Sequence, residues 1–96
     1  MLTYYVIYRD EDEGDPAGIF IVDPLKGRAL VWNHRLEGWS YDPGLAFRFL
    51  EDYRNVDRYR EVDESRARQV ALAVTGAEMP GESEVATIFQ GHKSSE

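Results

Sequence analysis

At 96 residues the chain has room for one hydrophobic core, because a second would leave both too small, and its 43% apolar content suits a single core of modest size. The absence of cysteine excludes disulfide staples, thiolate nucleophiles and cysteine-ligated zinc. With 18 acidic against 11 basic side chains the formal net charge is −7, a field that repels phosphate backbones and suits either solubility or a basic partner.

The opening segment Thr3–Arg9 reads as a strand, since Tyr4, Tyr5, Val6, Ile7 and Tyr8 all favour extended backbone. It lacks the basic start and uninterrupted apolar stretch of a secretory signal, and no apolar run approaches the ~20 residues that span a bilayer. A cytoplasmic protein that does not enter membranes is the expectation. Asp10–Pro16 is an acidic connection. Read as a calcium loop it fails, because Gly14, Asp15 and Ile21 stand where the motif requires an oxygen ligand, glycine and glutamate. A solvated hairpin tip is the simpler reading.

Gly18–Val22 and Ala29–Trp32 are the next two strands, joined by a turn between Pro24 and Gly27. These short connections imply an antiparallel meander. The segment from Asn33 to Tyr41 carries no decisive pattern, with Gly38 marking a bend beside Trp39. A first helix follows, capped by Asp42 with Pro43 at its first position and Ala46, Phe49, Leu50 and Tyr53 on one stripe. Val56–Val62 reads as a charged edge strand. The second helix is capped by Asp63, lined by Ala67, Val70, Ala71 and Val74, and stopped by Gly76. Ser83–Gln90 fits either a helix or a strand and is assigned to a short helix capped by Ser83 and ended by Gly91. Residues 92–96 are expected to form a disordered tail.

The sequence thus predicts one α+β domain over residues 1–91, in the order βββ-α-β-α-α. Its antiparallel sheet has three to four strands, with two to three helices on one face. The first two strands are apolar on both parities, whereas a sheet covered on one side should alternate. A partner, a second copy or the Trp32–Tyr41 segment is therefore expected to cover the other face.

Motifs for chemistry are sparse. His34 and His92 are the two histidines, no serine stands in a nucleophile elbow or Ser-x-x-Lys pattern, and Pro80-Gly81-Glu82 puts a carboxylate where a phosphate would sit. No catalytic residue, metal or cofactor is assigned. The leading expectation is a protein–protein interaction module, or homodimer, that uses an aromatic sheet face. Its partner-binding residues would be Tyr4, Tyr8, Trp32, His34, Trp39 and Tyr41, rimmed by Arg58 and Arg60. A second reading is a small-molecule-binding protein or enzyme with a pocket near His34, Trp39 and Tyr41. A third is an acidic antitoxin-like, immunity-like or nucleic-acid-mimic protein.

The run Tyr4-Tyr5-Val6-Ile7-Tyr8-Arg9, then Gly18-Ile19-Phe20, Trp39 before Asp42-Pro43, and Val62-Asp63-Glu64-Ser65-Arg66-Ala67 resembles small actinobacterial-type proteins. The acidic connection is richer in carboxylates than that pattern. The resemblance implies no activity, cofactor or catalytic residue.

Overall fold

The computed structural model describes residues 2–9 and 16–92. The acidic connection 10–15 and the tail residues 93–96 lie outside the described residues. Five strands, β1 (Thr3–Tyr8), β2 (Pro16–Asp23), β3 (Arg28–Asn33), β4 (Gly38–Tyr41) and β5 (Tyr59–Val62), form one antiparallel sheet in the order β4-β3-β2-β1-β5. Three α-helices, α1 (Pro43–Glu51), α2 (Glu64–Thr75) and α3 (Glu82–His92), accompany it, with a 3₁₀ turn over Tyr53–Arg58.

The expected α+β class holds, with two differences. There are five strands rather than three or four, because the undecided segment before Tyr41 returns as β4. It pairs Trp32 with Trp39 and Leu30 with Tyr41. The helices also occupy both faces of the sheet rather than one. Tyr4, Ile19, Ile21 and Leu30 meet Ala67 and Ala71 of α2 and Val85 and Phe89 of α3. Ile7, Phe20, Val22, Ala29 and Val31 meet Ala46, Phe47, Phe49 and Leu50 of α1. Successive strand residues point to opposite faces, so Ile21 and Val22, adjacent in sequence, belong to separate cores.

This arrangement answers the doubly apolar strands within one chain. Ile19, Ile21 and Leu30 on one side and Val22 and Ala29 on the other are at most 1% exposed. The α1 layer is completed by edge-to-face contacts of Tyr5 with Tyr59, Tyr59 with Phe49, and Phe49 with Phe20. The Tyr59 hydroxyl donates to the Leu50 carbonyl at 3.1 Å, tying β5 to the end of α1.

The helix ends follow local chemistry. Asp42 Oδ1 accepts from the Leu45 amide and Asp63 Oδ1 from the Arg66 amide, the N-cap geometry expected of both. Gly76 ends α2 in the left-handed conformation, at φ 78°. α3 departs from expectation at both ends. The Gly81 amide donates to Glu84 Oε1 as the Val85 amide donates to the Gly81 carbonyl, so Gly81, not Ser83, opens the helix. The helix also continues past Gly91 to His92. Tyr53, expected on the buried stripe, lies beyond α1 in the 3₁₀ turn and is 82% exposed.

Truncating Ile21 to Ala should cost about 2–5 kcal/mol in urea unfolding, through lost transfer energy plus a cavity. Because the chain covers both sheet faces itself, the wild-type midpoint should not move over about a hundredfold change in protein concentration. A second expectation concerns Asp52, whose side chain caps the 3₁₀ turn. Hydrogen bonds from the Arg54 guanidinium and amide hold its carboxyl down from 3.8 to about 2. A lowered folded-state value stabilises the fold above pH ~3.8, and that contribution is lost as pH falls toward 2. Carboxyl NMR titration should find this midpoint, and Arg54→Ala should return it toward the ordinary carboxylate range.

Candidate functional site

The β3–β4 hairpin turns through His34–Glu37. Asn33 Oδ1 accepts from the amides of Arg35 at 3.0 Å and Leu36 at 3.1 Å, a side-chain turn that closes the loop. Glu37 follows at φ 53°, the one non-glycine residue among those described with a left-handed backbone. A residue bearing a β-carbon is disfavoured there.

Directly before and after this turn, Trp32 and Trp39 face each other across the strands. Their ring centroids are 5.6 Å apart and their planes meet at 72°, so the indoles form a corner rather than a stack. His34 presents its ring at 88° to Trp32, and its Nε2 donates to the Ala17 carbonyl, fastening the hairpin to the start of β2. Opposite stands the C-terminal end of α2. There the Thr75 hydroxyl donates to the Ala77 carbonyl at 2.9 Å and accepts from the Ala77 amide at 3.0 Å, holding the chain as it leaves the helix.

Between hairpin and helix end is a cleft of about 520 Å³ lined by Trp32, His34, Glu37, Gly38, Trp39, Val74, Thr75, Ala77 and Glu78. Among the described residues no lysine or arginine lines it, and the last turn of α2 carries no basic residue. The negative end of the helix dipole and two carboxylates therefore meet at one recess. A second cleft, of about 310 Å³, is rimmed by Glu61, Asp63, Glu64 and Glu82. Its acids are partly engaged: Asp63 caps α2, and Glu64 binds Arg68 at 2.8 Å. Tyr4 forms part of its wall, and its hydroxyl pKa is raised by burial first and by Glu64 and Glu82 next. Among the described residues no group of three or more histidine or acidic side chains is placed to hold a metal ion.

The eight residues expected to bind a partner do not share one surface. Tyr4 and Tyr8, expected to bind a partner on an aromatic sheet face, are buried in the layer under α2. The physical reason is that α2 and α3 cover that side of the strands. Trp32, His34 and Trp39 come together at the cleft. Tyr41 shares their sheet face but turns to Phe89 of α3, at 5.9 Å between centroids. Arg58 and Arg60 lie at the β5 end of the sheet, across three strands from β4. There Arg58 covers the Phe49 ring at 5.5 Å and Arg60 donates to the Tyr59 carbonyl. Sequence reading missed Glu37, Val74, Thr75 and Glu78. The Glu37-Gly38 step inside a hairpin was the available signal for the first of these, whereas Glu78 reaches the cleft only through tertiary packing.

No family model, curated protein or solved structure matches the chain. No helix among the described residues is long and apolar enough to cross a membrane.

Glu37→Gly should raise stability by ~1 kcal/mol, because it relieves a left-handed cost of ~1–2 kcal/mol while adding some unfolded-state entropy. The urea midpoint checks this.

Proposed function

We propose that this protein is a small ligand-binding domain whose site is the cleft between the Trp32–Trp39 corner and the end of α2. The observation that carries the reading is the convergence of two indoles and two carboxylates on a recess of about 520 Å³. That size falls within the range of small-molecule sites, ~300–1,000 Å³, and such sites combine apolar walls with a few placed polar groups. The walls are also set by structure formed for other reasons. The hairpin is closed by Asn33 and pinned by His34, and the helix is stopped by Gly76.

Support for a partner-covered sheet is correspondingly weaker. The expectation of an interaction module rested on an apolar face left open, and α1 fills that face. Of the sequence-level alternatives, the pocket near His34 and Trp39 is the one the side chains favour, with Glu37 and Glu78 in place of Tyr41. Binding is favoured over catalysis because His34 commits its Nε2 hydrogen to the Ala17 carbonyl, where it serves the loop.

Both tryptophans of the chain line the cleft, so intrinsic fluorescence reports on it directly. In a library spanning cationic, neutral and anionic metabolites, a true ligand at about a hundredfold excess over Kd adds ~2.7 kcal/mol to stability. For a chain of this size that raises Tm by on the order of 10 °C. The same compound should perturb tryptophan emission, and Trp39→Ala should abolish the Tm shift. A library in which no compound moves either signal overturns the reading.

A further inference from the structure

We infer that the cleft takes an organic cation, specifically a methylated ammonium group on a short alkyl stem. This deepens the proposed function and rests on it. Three independent features select the charge and shape of the occupant.

The first is the aromatic geometry. The faces of indole rings carry negative electrostatic potential, and tryptophan is the strongest aromatic partner for a cation. Parallel rings would make a slot for a flat guest, but Trp32 and Trp39 meet edge to face, at 72° with 5.6 Å between centroids, and offer no such slot. The part of the indole surface left accessible suits a compact convex group, such as a tetrahedral ammonium carrying methyls, better than a planar ring that needs a slot.

The second is the charge of the rim. Glu37 comes from the hairpin and Glu78 from the segment after α2, so the carboxylates stand on different elements. Among the described residues Arg68 feels the charge of Glu78, while its guanidinium directs its hydrogen bonds to other groups. It binds Glu64 at 2.8 Å and donates to the Met79 carbonyl. His34, also in the lining, directs its Nε2 to the Ala17 carbonyl. An anion entering here would meet two carboxylates and, among the described lining residues, no lysine or arginine.

The third is the end of α2, a 12-residue helix whose final turn has no basic side chain to offset its negative pole. Val74 and Thr75 belong to that turn and line the cleft, so a bound cation stands where a C-terminal lysine or arginine would otherwise be favourable. The left-handed Glu37 points the same way: the turn holds a carboxylate at a position where glycine costs less, and that carboxylate belongs to the cleft wall.

The test uses three probes of closely similar shape on the full chain: choline, its neutral carbon isostere 3,3-dimethylbutan-1-ol, and glycine betaine, which adds a carboxylate. Tryptophan fluorescence titration to about 10 mM covers the weak affinities expected of such small probes. Choline should bind saturably and about tenfold more tightly than the neutral isostere, and betaine should fall below choline because its carboxylate meets Glu37 and Glu78. Glu37→Gln and Glu78→Gln should each weaken choline several-fold, and added salt should weaken it further. Glu37→Gly should lose choline affinity while gaining stability, a combination that misfolding does not produce. Equal binding of choline and the neutral isostere overturns the cation assignment but leaves the cleft a ligand site. Choline binding unaffected by Trp39→Ala overturns the location. No response to choline overturns the cation assignment, while the library screen judges the binding reading separately.

Discussion

Strands that carry apolar side chains on both parities must be covered on both sides, and the rest of this structure follows from that requirement. β1, β2 and β3 place Val6, Ile19, Ile21 and Leu30 toward one face and Ile7, Phe20, Val22 and Val31 toward the other. Burial of such residues is worth roughly 1.5–3 kcal/mol each, so an uncovered face would be costly for a domain of this size. The chain meets the demand by dividing its helices. α1 follows directly from β4 and returns across one face, while α2 and α3 close the other. No charged or polar residue is buried among those described, as expected when every inward position serves one of two apolar layers.

Much of this was legible in the residues. Helix caps at Asp42 and Asp63, Pro43 at a first position and the Gly76 stop are local signals, and they hold because the caps and the stop satisfy orphan backbone groups in place while Pro43 removes one. Strand identity in the early chain was equally plain from its β-branched and aromatic residues. The doubly apolar pattern was seen, but its resolution was not: whether a helix or a partner covers the second face depends on which side the chain crosses after β4, and helix periodicity does not encode that side. β4 was missed because four residues flanked by a turn give too short a pattern, and its identity comes from pairing with β3. The start of α3 was misplaced because Glu84 accepts from the Gly81 amide and so closes the helix start without a serine side chain.

The cleft illustrates the same division between local and tertiary information. Trp32, His34 and Trp39 were marked as candidates from residue type alone, and pairing across one hairpin brings them together. The opposing wall has no such signature, since Val74 and Thr75 look like the end of an ordinary amphipathic helix and Glu78 like a surface acid. They become a wall because α2 stops where the hairpin projects, an accident of lengths that only packing reveals. Tyr41, two residues from Trp39 and on the same face, illustrates the converse, as a similar side chain is claimed by Phe89.

The two layers share strands but no side chains, a property with a consequence for how such a molecule can change over generations. Neighbouring positions such as Ile21 and Val22 answer to different surroundings, and a volume lost beneath α1 is not refilled by side chains from beneath α2. Compensating replacements must arise within the same layer, where distances are short enough for coupling. Drift on the α1 side can therefore proceed while the layer that borders the tryptophans keeps its shape.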